Sequence, residues 1–588
     1  MTSLRSLGLF SLATTRSPKH VGASGPCFAK AACIVFAFCV ATAIASPAQT
    51  FTSLLSFDVT NGANPQWAPL VQGTDGNLYG TASGGGIFNS GCFRSPDGYC
   101  GTVFKITPAG TLTTLHFFTN GEDGSGQASG LVLATNGNFY GVNSNGGNLS
   151  FCFGIGCGAA FIVTPGGTLT TLLDFTFGEG VNPDSALVQG TGGNLIGTTV
   201  NGGISGCGPT ADGCGTIFKM TPGGTLTVLH KFDFTDGWDP QNTVLTQGVD
   251  ANFYGETTGG GKYSNCANRC GTVFMIGSDG DFTLLHSFKG TDGYNPTGGL
   301  VQATDGNFYG ATYSGGANGD GTVFKMTPGG AVTTLHSFNG TDGVGPYGGL
   351  VLATDGNFYG TTSAGGASGD GTVFEITPAG TLTTLHNFDG TDGADTESAL
   401  LQATNGTFYG TTLAGGTSGN GTIFSLSTGL GPFVTFLPAA RPVGGVVEIL
   451  GQGFTGATGV SFNGTAATFT VESDTYLTAT IPAEASTGSI IVTEPSGTLT
   501  SNKTFRVVPQ VTSFSPASGP VSTSVVITGA SFVGVIDVHF GNVKVTSFTV
   551  DSDTQITATV PAGAETGKIS VCTAGGSGDT ATSFTVTP

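Results

Sequence analysis

One block of sequence recurs seven times in this chain, and that recurrence limits the fold more than any other feature. Residues 300–338 read LVQATDGNFYGATYSGGANGDGTVFKMTPGGAVTTLHSF, and residues 350–388 read LVLATDGNFYGTTSAGGASGDGTVFEITPAGTLTTLHNF. Further copies open at Leu70, Leu131, Leu187, Leu245 and Leu400, so successive starts lie 61, 56, 58, 55, 50 and 50 residues apart. Units of about 40–50 residues suit propeller blades, the longer copies carrying loop insertions. Each copy holds four strand candidates, in the fifth Leu300–Thr304, Asn307–Thr312, Gly321–Thr327 and Ala331–Phe338. Asp305-Gly306 and Pro328-Gly329 supply the turns, because glycine tolerates positive φ there. Val323-Phe324-Lys325-Met326 has apolar residues on both faces, as expected of a sheet packed between two others.

The ends of the array predict closure. Phe51–Phe57, FTSLLSF, matches a fourth strand but precedes every complete copy, while the last copy, Leu400–Leu426, lacks its fourth strand. Pairing Phe51–Phe57 antiparallel with Gly421–Leu426 completes the last unit and removes two open edges. The expected fold class is therefore all-β, with a seven-bladed β-propeller over residues 51–430.

The TDGNFYG and GTVFKITP blocks resemble the GloVer tandem repeat family of bacterial exported proteins. The resemblance spans about residues 51–430 and implies a surface or secreted protein, with no defined chemistry. After Gly431 the pattern changes. SDTYLTATIPAEASTGSIIV (473–492) reappears as SDTQITATVPAGAETGKISV (552–571), offset by 79. Together with the opening Val511-Thr512-Ser513-Phe514-Ser515-Pro516, this resembles IPT/TIG domains. Two immunoglobulin-like β-sandwiches are expected, over 431–508 and 509–588, serving as spacer or interaction modules.

Residues 1–45 read as a signal peptide: basic residues without acids, the apolar run Ala31–Ala45, then small residues for cleavage. The run is short for a membrane span, which takes about 20 residues, and no later stretch would cross a membrane in the mature chain. Without this leader, 13 basic residues face 37 acidic ones. Such a charge disfavours nucleic acid as a partner.

Of the twelve cysteines, eight form one pair in each of the first four repeats: Cys92/Cys100, Cys152/Cys157, Cys207/Cys214 and Cys266/Cys270. The second of each pair precedes the glycine of the third strand, a slot that holds Asp320, Asp370 and Asn420 in later copies. The pairs read as local disulfides of an oxidising compartment; metal binding is the alternative, but no histidine accompanies them. Three more, Cys27, Cys33 and Cys39, lie in the leader, and Cys572 is left over and is expected to be a buried thiol.

No catalytic constellation, cofactor or metal site rises above the repeat pattern. His116, His230, His286, His336 and His386 share one position with Leu55 and Leu173, which marks packing rather than ligation. Tyr79, Tyr140, Tyr254, Tyr309, Tyr359 and Tyr409 also share a position; sugar stacking and inter-blade packing both fit, and packing is favoured. Asp292, Asp342 and Asp392 lie in GTDG turns that could hold Ca2+, although no full loop motif ends in Glu. Trp67 and Trp238 have no equivalents and suggest exposed loops. Glu122, Glu179, Glu256 and Glu397 break the repeat symmetry, Glu256 most visibly, because it replaces the Thr after Tyr-Gly. A lone carboxylate is weak support for glycoside hydrolysis, which uses two. The expectation is a secreted or cell-surface, non-catalytic protein binding an extracellular glycan or protein. The alternative is a propeller lyase or hydrolase acting on polysaccharide.

Overall fold

The structure is a computed structural model describing residues 49–588, except 90–91, 93–97, 151 and 210–211. The expected signal peptide therefore lies outside the described residues. Within them the chain is all-β, with two single-turn 3-10 helices, Cys152–Gly154 and Phe454–Gly456. No helix among the described residues is long and apolar enough to cross a membrane.

The repeats form seven small antiparallel, blade-like sheets, six of four strands and one of five. Their second and third strands pair in one register throughout, such as Phe308↔Met326 through Thr312↔Thr322. In all seven, the third and fourth strands slip by a bulge, as between Val323 and Phe324, which bends and twists the outer edge. The tight turn after the third strand needs glycine: Gly330 has φ 86°, and a Cβ there would lie 2.3 Å from the Leu285 carbonyl of the preceding repeat. The first strand is shorter than the sequence suggests. In most copies it spans two residues, such as Val351–Leu352, because the chain before it leaves the sheet to form a loop.

The strand Thr50–Ser56 pairs antiparallel with Thr422–Ser427, completing the last sheet. Packing between sheets repeats as strictly as the sequence. The phenylalanine after each fourth strand meets, edge to face, the third-strand phenylalanine of the next sheet, for example Phe338–Phe374 at 5.3 Å and Phe388–Phe424 at 5.3 Å. Phe57 makes the same contact with Phe104 at 5.5 Å, so the last sheet is joined to the first. Gln72 Nε2 reinforces that seam by donating to Thr404 Oγ1 at 3.0 Å. All of these phenylalanines are fully buried.

Two β-sandwich modules follow. In the first, the long strand Thr465–Ser473 runs through both layers and links seven strands into one sheet. In the second, the corresponding segment breaks into Val543–Lys544 and Phe548–Ser552, leaving two four-stranded sheets. Each module has its own core, around Val447, Ile449 and Phe462 and around Val525, Ile527 and Phe540. The first module sits on the turns between first and second strands. Thr475 Oγ1 donates to Thr74 O (2.9 Å), Phe433 N donates to Thr404 O (2.9 Å), and Leu450 joins the core containing Tyr79 and Phe139.

Candidate functional site

At the other end of the strands, loops run from each fourth strand to the next repeat's opening leucine. They share a backbone pin. Asn64, Asn182, Asp239, Asn295 and Asp395 occupy the left-handed region, with φ between 52° and 57°. Asn and Asp suit that conformation because a short polar side chain compensates locally. The N–H groups of Asn182, Asp239 and Asn295 donate to the carbonyls of Cys157, Cys214 and Cys270, at 3.0, 3.3 and 3.2 Å. Those three cysteines are disulfide-bonded to Cys152, Cys207 and Cys266; Cys92 and Cys100 form the fourth bridge, and all four span 5.2–5.4 Å between Cα atoms. The staples therefore anchor the loops that follow them.

Three residues before the opening leucine stand Trp67, Ala128, Asp184, Asn242, Thr297, Tyr347 and Glu397, seven different residues at one register; Ala128 and Thr297 lie in the strands Ser125–Ala128 and Tyr294–Gln302, the others in loops. Side chains from this register meet. Trp67, from the first repeat, stacks on Tyr347, from the sixth, with centroids 6.1 Å apart and planes at 15°. Tyr313 approaches Tyr347 edge-on at 5.5 Å and is 39% exposed. Burial holds the Tyr347 phenol well above its ordinary range, and Glu397, Asp184 and Asp239 push it in the same direction. Tyr347 thus lies within electrostatic reach of acids from the third, fourth and seventh repeats.

Those acids hold their protons unusually tightly. Burial raises Asp239 to about 6, against a hydrogen bond from Thr258. Burial and then Asp395 raise Glu397 to about 7, although Gln66 and Trp67 oppose the shift. Burial and then Asp239 lift Asp184 well above the carboxylate range, and burial also raises Asp395. Asp239 Oδ1 and Thr297 Oγ1 are buried atoms without hydrogen-bond partners among the described residues, while Gln66 and Trp67 both donate toward the Glu397 carboxyl. The cluster combines flat aromatic faces, proton-holding carboxyls and unused polar atoms, the equipment for gripping a polar ligand with apolar faces.

The other candidates resolve differently. Glu256 is fully buried, its Oε2 accepting from Gly299 N and its carboxyl pushed up by burial. Glu179 closes its own turn by accepting from Thr176, and Glu122 lies near Asp174. The shared tyrosines pack between sheets, as in Tyr309–Phe358 at 4.1 Å. Trp238 is no exposed loop residue; it is half-buried and packed beside Gly208 of the Cys207–Cys214 loop. Cys572 is half-buried rather than buried, 3.9 Å from His539 Nδ1, because it faces the outer side of its strand. Each of the five repeat histidines donates through Nε2 to the aspartate of the following turn, as His336 does to Asp342 at 2.9 Å. The GTDG aspartates are thus engaged within their own turns. Glu397 and Trp67 were visible as unlike residues; the stacking of Trp67 on Tyr347 was not.

No curated protein matches the chain at a significant level. Among solved structures, a fungal alcohol oxidase of the AA5 family in complex with copper is 14% identical, covering 78% of this chain and 98% of its own, with a TM-score of 0.41. A surface glycan-binding protein from Prevotella bryantii is 19% identical over 26% of this chain and 41% of its own, with a TM-score of 0.19. An SGBP-B from a xyloglucan utilization locus of Bacteroides uniformis is 20% identical over 26% and 48%, with a TM-score of 0.14. At these scores the likenesses leave the reading to the chain's own residues. The Gloeobacter/Verrucomicrobia repeat model matches residues 94–267, 209–424 and 263–468, and the IPT/TIG model matches 433–507 and 509–587. The chain belongs to the Gloeobacter/Verrucomicrobia repeat family and carries two IPT/TIG domains at its C-terminal end.

Proposed function

We propose that the seven sheets are the blades of a closed propeller, and that this is an extracellular protein whose blade loops bind a glycan. The observation that carries the reading is the set of unlike residues, Trp67, Asp184, Tyr347 and Glu397, at one register of an otherwise uniform repeat, with Trp67 stacked on Tyr347. Packing alone favours the same residue in every copy, as the buried phenylalanines illustrate. A site for an asymmetric ligand favours different ones. The IPT/TIG modules, occupying the opposite ends of the strands, then space or attach the molecule and leave the loop face free. Four disulfides suit an oxidising, extracellular setting.

A second reading, hydrolysis or elimination on a polysaccharide, draws on Asp239 and Glu397, which titrate near neutrality as a general acid must. A glycan panel scored for both retention and cleavage separates the two. Retention without new chain ends, lost in Tyr347→Ala, supports binding. Turnover abolished by Glu397→Gln would move the protein to the enzymes, and failure of every glycan to bind or react would remove both readings.

A further inference from the structure

We propose that the Glu256 carboxyl is a latch between the fourth and fifth repeats, closed while it carries a proton and released when it loses one.

The slot that Glu256 occupies, just after the glycine of the second strand, ties neighbouring sheets together. Four copies hold threonine there, and each threonine donates its hydroxyl to a loop carbonyl of the next repeat. Thr81 reaches Ser129 O at 3.0 Å, Thr198 reaches Pro240 O at 3.1 Å, Thr361 reaches Ser398 O at 3.4 Å and Thr411 reaches Pro65 O at 3.2 Å. Val142 and Ala311 leave the slot apolar in two further copies. Glu256 also crosses to the next repeat, but in the opposite sense, its Oε2 accepting from Gly299 N at 3.2 Å. The fourth copy is therefore the one whose tie is made by an ionisable group.

The surroundings give a carboxylate no support. Glu256 is 0% exposed, and its Oε1 has no hydrogen-bond partner. That oxygen packs on the fifth repeat, so near Gly310 that a Cβ there would lie 3.0 Å from it. The neighbouring strands are Thr246–Gln247, Thr272–Ile276, Tyr294–Gln302 and Phe308–Ser314, and their titratable groups are Tyr294, Tyr309 and Tyr313. Tyr254 lies on the same strand as Glu256, and Asp239 lies in the loop whose Thr243 donates to Glu256 O at 3.0 Å. None of these groups acts on the carboxyl, nor does any lysine, arginine or histidine; burial raises it, and the Gly299 N–H opposes. A neutral acid leaves one uncharged oxygen unpaired there. A carboxylate would place a charge beside a single backbone donor, which costs far more.

The strand held by this bond needs it. Tyr294–Gln302 pairs with Phe308–Ser314 through a slip between Thr297 and Val301, the interval that contains Gly299. Gly298 and Gly299 have φ of 84° and 82°, and Thr297 Oγ1 is buried without a partner. Two glycines have little preference of their own for this shape, so the bond to Glu256 selects it. Once released, the carboxyl titrates at its ordinary value of about 4.3. The latch is thus tight in acid and slackens as pH rises above that value, because the open form then binds fewer protons than the closed one.

The test is hydrogen exchange on the full chain from pH 5 to pH 9, each rate divided by that of an unstructured peptide at the same pH. Protection of residues 294–302 is expected to fall roughly tenfold per pH unit, one proton leaving on each opening, until the closed seam itself ionises. Residues 125–133, whose seam is tied by Thr81, should keep their protection. Glu256→Gln retains an acceptor for Gly299 N and cannot ionise, so its profile at 294–302 should be flat. Glu256→Thr, the residue of four other copies, should be flat as well. Infrared difference spectra at pH 6, wild type minus either variant, should show the C=O stretch of one carboxylic acid. A flat profile in the wild-type chain, an equal loss in every repeat, a slope retained in both variants, or absence of the acid band overturns the inference. Should neither variant fold, the wild-type slope and its confinement to residues 294–302 decide alone.

Discussion

Five histidine–aspartate pairs show how one residue position does two jobs. The ring of His386 stacks on Phe51, centroids 3.6 Å apart, while its Nε2 donates to Asp392 at 2.8 Å. Burial is the largest single influence on Asp123 and Asp292 and raises both, yet the hydrogen bonds from His116 and His286, joined by those from Thr119 and Lys289 N, together hold both carboxyls below their ordinary value. A depressed carboxyl stabilises the fold above its unfolded pKa of about 4, and that contribution is lost as pH falls through the lower folded value. Asp292→Asn should cost about 1–2 kcal/mol at pH 7 by denaturant unfolding. It should also remove part of the acid sensitivity, and adding His286→Leu should cost less than the two changes separately. The loop acids obey the opposite sign. Glu397, raised to about 7, is better tolerated protonated, so its folding contribution worsens as pH climbs from about 4 to 7. Glu397→Gln should therefore raise the melting temperature at pH 8 and leave it nearly unchanged at pH 4. The two classes differed in legibility for a physical reason. Where histidine becomes Leu55 or Leu173, the aspartate position holds Asn61 or Glu179, a covariation among the seven copies that would have revealed the pairing. The loop cluster leaves no such trace, because repeat comparison rewards sameness and this register has none.

At the scale of elements, strand order and pairing were legible because four short apolar runs, each closed by a glycine turn, leave few arrangements. The two-residue first strands were not, since the residues before them are diverted into loops held by bonds to the preceding sheet. Under the proposed binding function, those bonds give the disulfides a consequence. Cys214 accepts at its carbonyl from the N–H of Asp239 itself. Replacing Cys207 and Cys214 by Ser should weaken ligand binding several-fold while far-ultraviolet circular dichroism stays unchanged. The same change at Cys92 and Cys100 should do less, because no residue of the cluster is pinned through them. The stability lost per bridge should stay within about 2–3 kcal/mol, since short loops release little chain entropy. The closing strand calls for a sharper result. Phe57→Ala should cost about 3–5 kcal/mol, the price of a buried phenylalanine. Deleting residues 51–57 should strip hydrogen-exchange protection from residues 400–427 before it affects residues 78–117.

For the whole molecule, 13 basic residues against 37 acidic ones after residue 45 set a long-range bias. Cationic oligomers should associate faster at low salt, and the rate should fall steeply as ionic strength rises; sulfated glycans should not be retained at any salt. Stopped-flow association at two ionic strengths checks this.

The seam between Thr50–Ser56 and Thr422–Ser427 also sets an order of events. Ser56 Oγ accepts from Thr417 N, a partner 361 residues further along the chain. During synthesis the strand Thr50–Ser56 therefore waits until nearly all seven repeats have followed it. A repeat array whose first and last strands pair only at the end stays open through most of its own production, and a long-lived open state is the state in which a polypeptide can be threaded through a narrow pore.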